Sequence, residues 1–344
     1  MKDDTNKRDL RVELRLESFV GSENGVWTEY KETREALSQT RGVTLVSDSN
    51  KSPDILHFHS QGPGYIWAAN RTQSKIVVSA HVVPDSFVGS IIGAKWGKPL
   101  TKRYFRYSYN LADLVFAVSP FIKKKLEELD INTRIEVLPN FVDREKFSPD
   151  SNKRSKVREE LGLAKDKDVV MAVGQVQPRK GVEDFIQVAK QLPEKEFVWV
   201  GGCLYGIISA GSGRMDKIIK NSPENTHFPG IIPYDQIHNY YNAADLFFLP
   251  SHQETFGLVI LEAASTGLPL VLRDIPEYES IFSDSYLKGS SVEEFVGLIR
   301  DILSKENLKK EYLDRSITLA KRYDKQAHLD NLLNNYKKLL GRTS

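Results

Sequence analysis

NAADLFFLPSHQETFGLVILEAASTGLPLVLRD, Asn242 to Asp274, reads as a complete strand–helix–strand unit. Leu246 to Leu249 is a short run of large apolar side chains, as expected of a strand covered on both faces. Val259 to Thr266 reads as an almost wholly apolar, buried helix, stopped by Gly267 and Pro269 before a second strand at Leu270 to Leu272. Strands joined through a helix lie parallel in one sheet. Similar apolar runs recur upstream as RVELRLESFV, DILHFHS, KIVVSAH, DLVFAVS, RIEVLPN, DVVMAVG and EFVWVGG, with helical segments between them. The chain therefore reads as an α/β protein built on parallel sheets.

With 344 residues, 40% of them hydrophobic and 27% charged, two globular domains with separate cores are expected. Apolar residues nearly vanish between Ser148 and Glu160, SPDSNKRSKVREE, so the hinge is expected there. This gives an N-terminal Rossmann-like domain over 1–150, a second over 151–324, and a C-terminal helix over 325–344. In that helix Leu329, Leu332, Leu333, Tyr336, Leu339 and Leu340 share one face, which could pack on its own domain or cross back to the first. The phrase NLADLVFAVSPF from Asn110 echoes NAADLFFLPSHQ from Asn242, as two domains of one design would, or as many unrelated βα units would.

The net charge of +2 argues against a nucleic-acid partner. The single cysteine, Cys203, excludes an intramolecular disulfide framework and a cysteine-based zinc site, and suits a reducing cytoplasm. No apolar run approaches the roughly 20 residues of a membrane span, and the polar start MKDDTNKRDL does not read as a secretion signal.

Glu254 and Glu262 bracket an apolar run broken by Gly257, and each is costly to bury without a partner. Glu254 falls just before the helix and Glu262 about one turn inside it. If a ligand lies at the helix start, Gly257 lets the backbone approach, free N–H groups meet an anion, and Glu262 accepts hydrogen bonds from a vicinal diol. The plainer alternative pairs Glu262 with a lysine or arginine. Arg179 and Lys180 follow the strand Val169 to Val173 in a glycine-flanked turn, where two cations suit a diphosphate or merely form a solvated basic turn. Gly21 and Gly25 follow the first strand without forming the dinucleotide fingerprint. His81 ends a buried strand and is either structural or directed at the ligand cleft. His57 and His59 read as sheet-filling residues, since nothing nearby has metal-ligand spacing.

Together, ETFGLVILE, VGQVQPRKG, VLPNFVD, FPGIIPYDQIHNYYNAADLFFLPS and the Gly25 loop resemble the retaining nucleotide-sugar glycosyltransferases of family 4, which have the GT-B fold. The resemblance runs from about Arg11 to the C-terminal helix. It implies two Rossmann-like domains facing across a cleft, a hexose moved from a nucleotide sugar, and no tightly bound cofactor or obligatory catalytic metal. It implies that Glu262 holds the donor ribose and Glu254 touches the transferred sugar. The diphosphate would be held by backbone amides near Phe256, Gly257 and Leu258 with Arg179 and Lys180. Gly230 and Ile231 would meet the base, Gly25 the donor phosphates, and His81 the sugar. Two positions depart from the family pattern: Gln175 replaces an arginine after the glycine of VGQ, and Phe141 replaces the glycine of its Pro-Asn-Gly-Val-Asp.

Between Lys95 and Lys125 the chain carries eight basic residues and one acidic one, interleaved with aromatic residues. Leu100, Tyr104, Tyr107 and Leu111 read as a core stripe, with Lys98, Lys102 and Arg106 facing elsewhere. Arg103, Lys95 and Trp96 add to the basic, aromatic character, and Phe87, Val88, Ile91 and Ile92 form an apolar segment just upstream. The combination reads as peripheral binding to an anionic membrane surface, against a bland alternative of a solvated basic helix. The wording HVVPDSFVGS further resembles the family subset that glycosylates diacylglycerol glycolipids. That implies glucose transfer from UDP-glucose to a membrane glycolipid by a cytoplasmic enzyme on the inner face of the cell membrane. Other readings are transfer to a polysaccharide, a lipid-carrier-linked sugar or a soluble sugar, a GT-B nucleotide-sugar epimerase, and a non-catalytic partner subunit.

Overall fold

The structure is a computed structural model that describes residues 9–17, 25–47, 52–81, 98–202 and 212–342. The chain forms two compact units. Among the described residues the first holds 9–81, 99–139 and 326–342, and the second holds Lys98 and 140–325.

The first unit contains strands β1 (Leu10–Arg15), β2 (Val43–Leu45), β3 (Ile55–Phe58), β4 (Lys75–Ala80), β5 (Leu114–Ala117) and β6 (Ile135–Val137). They form one parallel sheet in the order β2-β1-β3-β4-β5-β6. Its helices are α1 (Gly25–Ser38), α2 (Pro63–Ala69), α3 (Lys98–Asn110) and α4 (Pro120–Glu127). The second unit contains helices α5 (Ser151–Glu160), α6 (Val182–Gln191), α7 (Ser212–Lys220), α8 (Ile237–Ala243), α9 (Leu258–Ser265), α10 (Pro276–Phe282), α11 (Val292–Ser304) and α12 (Glu306–Arg322). Its strands are β7 (Val169–Val173), β8 (Glu196–Val200), β9 (Thr226–Gly230), β10 (Leu246–Leu249), β11 (Leu270–Arg273) and β12 (Leu287–Gly289). This second parallel sheet has the order β12-β11-β10-β7-β8-β9. The last helix, α13 (Lys325–Leu339), packs in the first unit, where Leu329, Leu332 and Tyr336 are buried.

The cores follow from the continuous apolar strands. Every residue of β5, β7, β8 and β10 is buried, and burying each large aliphatic or aromatic side chain contributes roughly 1.5–3 kcal/mol. In each sheet the strand order reverses at one point, between β1 and β3 in the first and between β7 and β10 in the second. Ligands of open α/β sheets bind outside the carboxyl ends of strands at such reversals.

Two local expectations change. The polar stretch from Ser148 is not a loose connector: it forms α5 within the second unit, and the chain leaves the first unit at Pro139–Asn140. Ionic anchoring replaces the missing apolar face. Arg154 and Arg158 grip the two oxygens of Asp245 at 2.7 and 2.6 Å, and Asp245 also accepts from the Val169 N–H at 2.9 Å. In α3 the expected core stripe is the outer one. Leu100, Tyr104 and Tyr107 are 80%, 38% and 50% exposed, whereas Phe105, Ser108 and Tyr109 are buried. The helix carries apolar residues on two faces, and the face that docks is fixed by the Tyr65 hydroxyl donating to the Ser108 carbonyl at 2.6 Å and by the Phe105–Tyr109 ring stack.

Candidate active site

The second unit assembles its site where β7 and β10 lie side by side. After β7 the chain makes a 3-10 turn, Pro178–Lys180, and enters α6 through Gly181 at φ +76°. A Cβ on Gly181 would lie 2.2 Å from the Pro250 carbonyl oxygen, so the turns after β7 and β10 can meet only because this residue is glycine. The His252 N–H donates to the Arg179 carbonyl at 2.8 Å, stitching the same two turns together.

This contact delivers Lys180 to Glu254. The buried Lys180 Nζ pairs with Glu254 Oε1, and Ser251 Oγ donates to the same oxygen at 2.8 Å. Burial raises the Glu254 pKa, but Lys180, then Arg179, outweigh it and hold the carboxyl below its usual value. Burial lowers the Lys180 pKa, and Glu254 opposes that shift. The pair is thus a mutually stabilised ionic couple. Arg179 stands beside it, its Nε donating to Gln177 at 3.0 Å and its Nη1 reaching the Gln253 carbonyl at 3.5 Å.

Helix α9 starts at Gly257, whose φ of +88° places it in the left-handed region, and no side chain caps this end. The Ile260 N–H folds back to the Gly257 carbonyl at 2.9 Å; the N–H groups before it are placed to meet an anion, and the helix dipole favours negative charge there. Phe256 and Leu258 flank the start and are buried. Glu262 lies in the second turn, also buried, and no ion pair to a lysine or arginine is formed by it among the described residues. The Tyr241 hydroxyl, itself buried, donates to its Oε2 at 2.6 Å. Burial pushes the Glu262 carboxyl up to about 7, with Tyr241 and Lys146 pulling the other way. The two carboxylates that bracket α9 therefore have opposite characters. Glu254 is a charge locked by a cation, whereas Glu262 sits near neutrality with a tyrosine as its partner.

At the far edge of this sheet Gly230 ends β9 at φ +82°, and Ile231 is exposed. In the first unit Gly25 opens α1 on the exposed side, with open space where a Cβ would stand. His81 follows β4 and is buried, with Nε2 3.2 Å from Glu29 Oε2. Lys102, Arg103 and Arg106 are exposed on α3, Arg106 pairing with Asp130 at 2.6 Å. Gly21, Phe87, Val88, Ile91, Ile92, Lys95 and Trp96 lie outside the described residues, and Lys98 is described only as the first residue of α3.

Residues 153–319 match the family described as Glycosyl transferases group 1, and residues 22–146 match Glycosyltransferase Family 4. Across 96% of this chain and 90% of the relative, the sequence is 31% identical to the alpha-galactosylglucosyldiacylglycerol synthase of Streptococcus pneumoniae. The chain is a family 4 glycosyltransferase. This glycosyltransferase is also 28% identical to the processive diacylglycerol alpha-glucosyltransferase of Acholeplasma laidlawii, over 89% of its own length and 93% of the relative's. Its fold is shared with Anabaena HepE, solved in complex with UDP-glucose, at a TM-score of 0.77 and 16% identity, covering 95% of this chain and 99% of the other. The two sheets and their covering helices are those of the GT-B fold, and the glycosyltransferase is an enzyme that takes its sugar from a nucleotide donor.

Tyr241 and Ser251, the partners of the two carboxylates, were not singled out from the sequence of the glycosyltransferase. Ser251 stands two residues beyond the end of β10, and a small hydroxyl residue three positions before a buried glutamate was a usable signal. Tyr241 stands 21 residues before Glu262 on a different helix, and only the folded sheet brings them together.

Proposed function

We propose that this enzyme transfers glucose from UDP-glucose to the sugar of a glycosyldiacylglycerol at an anionic membrane surface, with retention of configuration. The observation that carries this reading is the pair of buried carboxylates on either side of the uncapped start of α9, at the strand-order reversal of the second sheet. A nucleotide sugar has matching parts. The ribose hydroxyls meet Glu262, the diphosphate meets the amides of Phe256, Gly257 and Leu258 with Arg179, and the hexose meets Glu254. Lys180 acts through Glu254 as well as on the phosphates, because its ammonium is already paired there. Gly230 and Ile231 offer main-chain contacts to the base, Gly25 approaches the phosphates, and His81 attends the transferred sugar. Transfer breaks the bond between C1 and the diphosphate oxygen and forms a bond from C1 to an acceptor hydroxyl. Its acceleration comes from positioning and from stabilising the departing diphosphate, without an obligatory metal.

The donor assignment is supported by HepE, whose structure holds UDP-glucose. The acceptor assignment is supported by two relatives whose names carry a diacylglycerol glycolipid and an alpha linkage, one a synthase of alpha-galactosylglucosyldiacylglycerol and the other a diacylglycerol alpha-glucosyltransferase. An α-linked product from an α-configured donor is retention. The outer face of α3 supports the membrane assignment. Leu100, Tyr104 and Tyr107 are exposed beside Lys102, Arg103 and Arg106, and Trp67 on α2 is 60% exposed. Aromatic and basic side chains together favour the headgroup zone. No helix among the described residues is long and apolar enough to cross a membrane, and we place the enzyme peripherally on the inner face of the cell membrane.

The test incubates purified enzyme with a panel of radiolabelled nucleotide sugars and total membrane lipid. Label from UDP-glucose is expected in a glycolipid, with free UDP released. Label in a water-soluble or polysaccharide product would overturn the acceptor, and label retained on the nucleotide in an altered sugar would point to an epimerase.

A further inference from the structure

The first unit buries a cluster of ionisable groups of which the proposed transfer uses only His81. Glu29 on α1, His59 just after β3 and His81 just after β4 converge, with their ligand-type atoms within 4.8 Å of one another. Glu29 Oε2 lies 2.5 Å from His59 Nδ1 and 3.2 Å from His81 Nε2, while Thr33 Oγ1 donates to Oε1 at 3.2 Å. The two imidazole planes are within 18° of parallel, so two ring edges share one carboxylate oxygen. The His81 contact is at ion-pair distance without hydrogen-bond geometry, and Nε2 of both His59 and His81 is buried with no hydrogen-bond partner.

Around this core stands a ring of neutral groups. His57 stacks 4.5 Å from His59 and is fixed by Tyr336 at 2.7 Å and Ser79 at 2.9 Å. Tyr30 sets its ring edge-on to His59 at 5.4 Å. His328 turns Nδ1 to the Pro139 carbonyl at 2.7 Å. Burial lowers the His57 and His328 pKa values. Among the described residues, the titratable groups facing Glu29 are thus Tyr30 from α1, His57 and His59 from the β3 end, His81 from β4, and His328 and Tyr336 from α13. Burial alone would raise the Glu29 pKa, but His59 and His81 hold it well below the usual carboxylate range. The cluster therefore keeps one buried anion, stabilised by two imidazoles.

We propose that Glu29 is the positioning residue of His81, its Oε2 atom, braced by His59, fixing the orientation and the protonated nitrogen of the His81 imidazole during glycosyl transfer. This rests on the reading that His81 attends the transferred sugar. An imidazole whose one nitrogen faces an anion carries its proton there and presents the other nitrogen in a defined state. The cluster sits at the carboxyl ends of β3 and β4, next to the strand-order reversal of the first sheet, where such a histidine can meet a ligand.

The test is Glu29→Gln, which keeps the size and removes the charge. Histidine side-chain 15N spectra of the protein without substrate are recorded across pH for wild type and variant, with His81 assigned by its loss in His81→Ala. The His81 signals are expected to shift in Glu29→Gln, because the anion 3.2 Å from Nε2 is removed. Turnover is expected to fall roughly 10–100-fold with donor KM little changed, the range seen for partners that orient metal-bound histidines. Glu29→Gln should cost nothing further in His81→Ala. Unchanged His81 spectra, or an equal loss of turnover in both backgrounds, would overturn the proposal. So would stoichiometric binding of added Zn2+ that Glu29→Gln abolishes, because the three side chains would then be a metal site. Should Glu29→Gln fail to fold, Thr33→Val, which removes only the hydroxyl on Oε1, must shift the His81 signals in the same direction. The spectra need no substrate, so a wild type inert toward every nucleotide sugar would refute the glycosyl-transfer reading while leaving this one tested.

Discussion

Donor binding should be coupled to a proton on Glu262. Its carboxyl, pushed up to about 7 by burial, is largely protonated at pH 6, yet ribose hydroxyls donate hydrogen bonds best to the ionised form. Below the folded pKa the ionised fraction falls tenfold per pH unit, so the dissociation constant for UDP-glucose should rise about tenfold between pH 6 and pH 5, about 1.4 kcal/mol. Above about pH 7.5 it should be flat. UDP-glucose suits the measurement because its diphosphate diester does not titrate in this range. Isothermal titration at pH 5.5, 6.5, 7.5 and 8.5, in buffers of different ionisation enthalpy, counts the protons directly. About one should be released at pH 5.5 and none at pH 8.5. Glu262→Gln should abolish both the release and the slope, and weaken binding at pH 8 by roughly 1.5–3 kcal/mol, the worth of a hydrogen bond to a charged group.

The same carboxyl makes an independent statement about stability. Its pKa is 4.5 in the unfolded reference and about 7 when folded, so the unfolded chain ionises first. A penalty absent below about pH 4.5 grows as pH rises and is complete above about pH 7, on the order of 3 kcal/mol. Without ligand, Glu262→Gln should melt above wild type at pH 8 and level with it at pH 4. A wild-type affinity independent of pH from 5.5 to 8.5, or a Gln variant that keeps the slope, would refute the assignment of Glu262 to the donor.

Lys180→Met should cost about 3–5 kcal/mol in denaturant unfolding, because it strands the buried Glu254 charge. Adding Glu254→Gln should recover most of that stability and none of the transfer activity. Gly181→Ala should destabilise by more than about 1 kcal/mol, since φ is +76° and the new Cβ would lie 2.2 Å from the Pro250 oxygen; its donor affinity, read by the same titration, should fall as the turn is displaced. In flotation with anionic vesicles, Lys102→Ala with Arg103→Ala should lower membrane partitioning roughly thirtyfold at about 1 kcal/mol per basic residue, and neutral vesicles should not distinguish the variant from wild type.

The strands were legible because a strand covered on both faces must be apolar throughout, as DLFFLPS and DVVMAVG are. The end of α9 was legible because Gly267, at φ +77°, and Pro269 are local stop signals. Faces of helices were less so. In α3 the sequence shows two apolar stripes and does not say which docks, and in α13 one stripe fits either unit. Partnerships across the sheet were invisible. Lys180 and Glu254 are 74 positions apart and meet only because β7 and β10 are neighbours. Glu29 looks like any polar residue of VWTEYKETREAL until His59 and His81 are brought to it.

The return of α13 to the first unit bears on synthesis at the ribosome. Residues 140–325 of the second unit emerge in succession and can collapse as soon as they are clear of the exit tunnel. The first unit, though begun earlier, lacks the Tyr336 hydroxyl on His57 and the burial of Leu332 until the last helix is translated. Its opening sheet must wait, partly uncovered, through the whole making of its neighbour. The part of the enzyme translated first is thus completed last, and during that interval a nascent chain would be most dependent on chaperones.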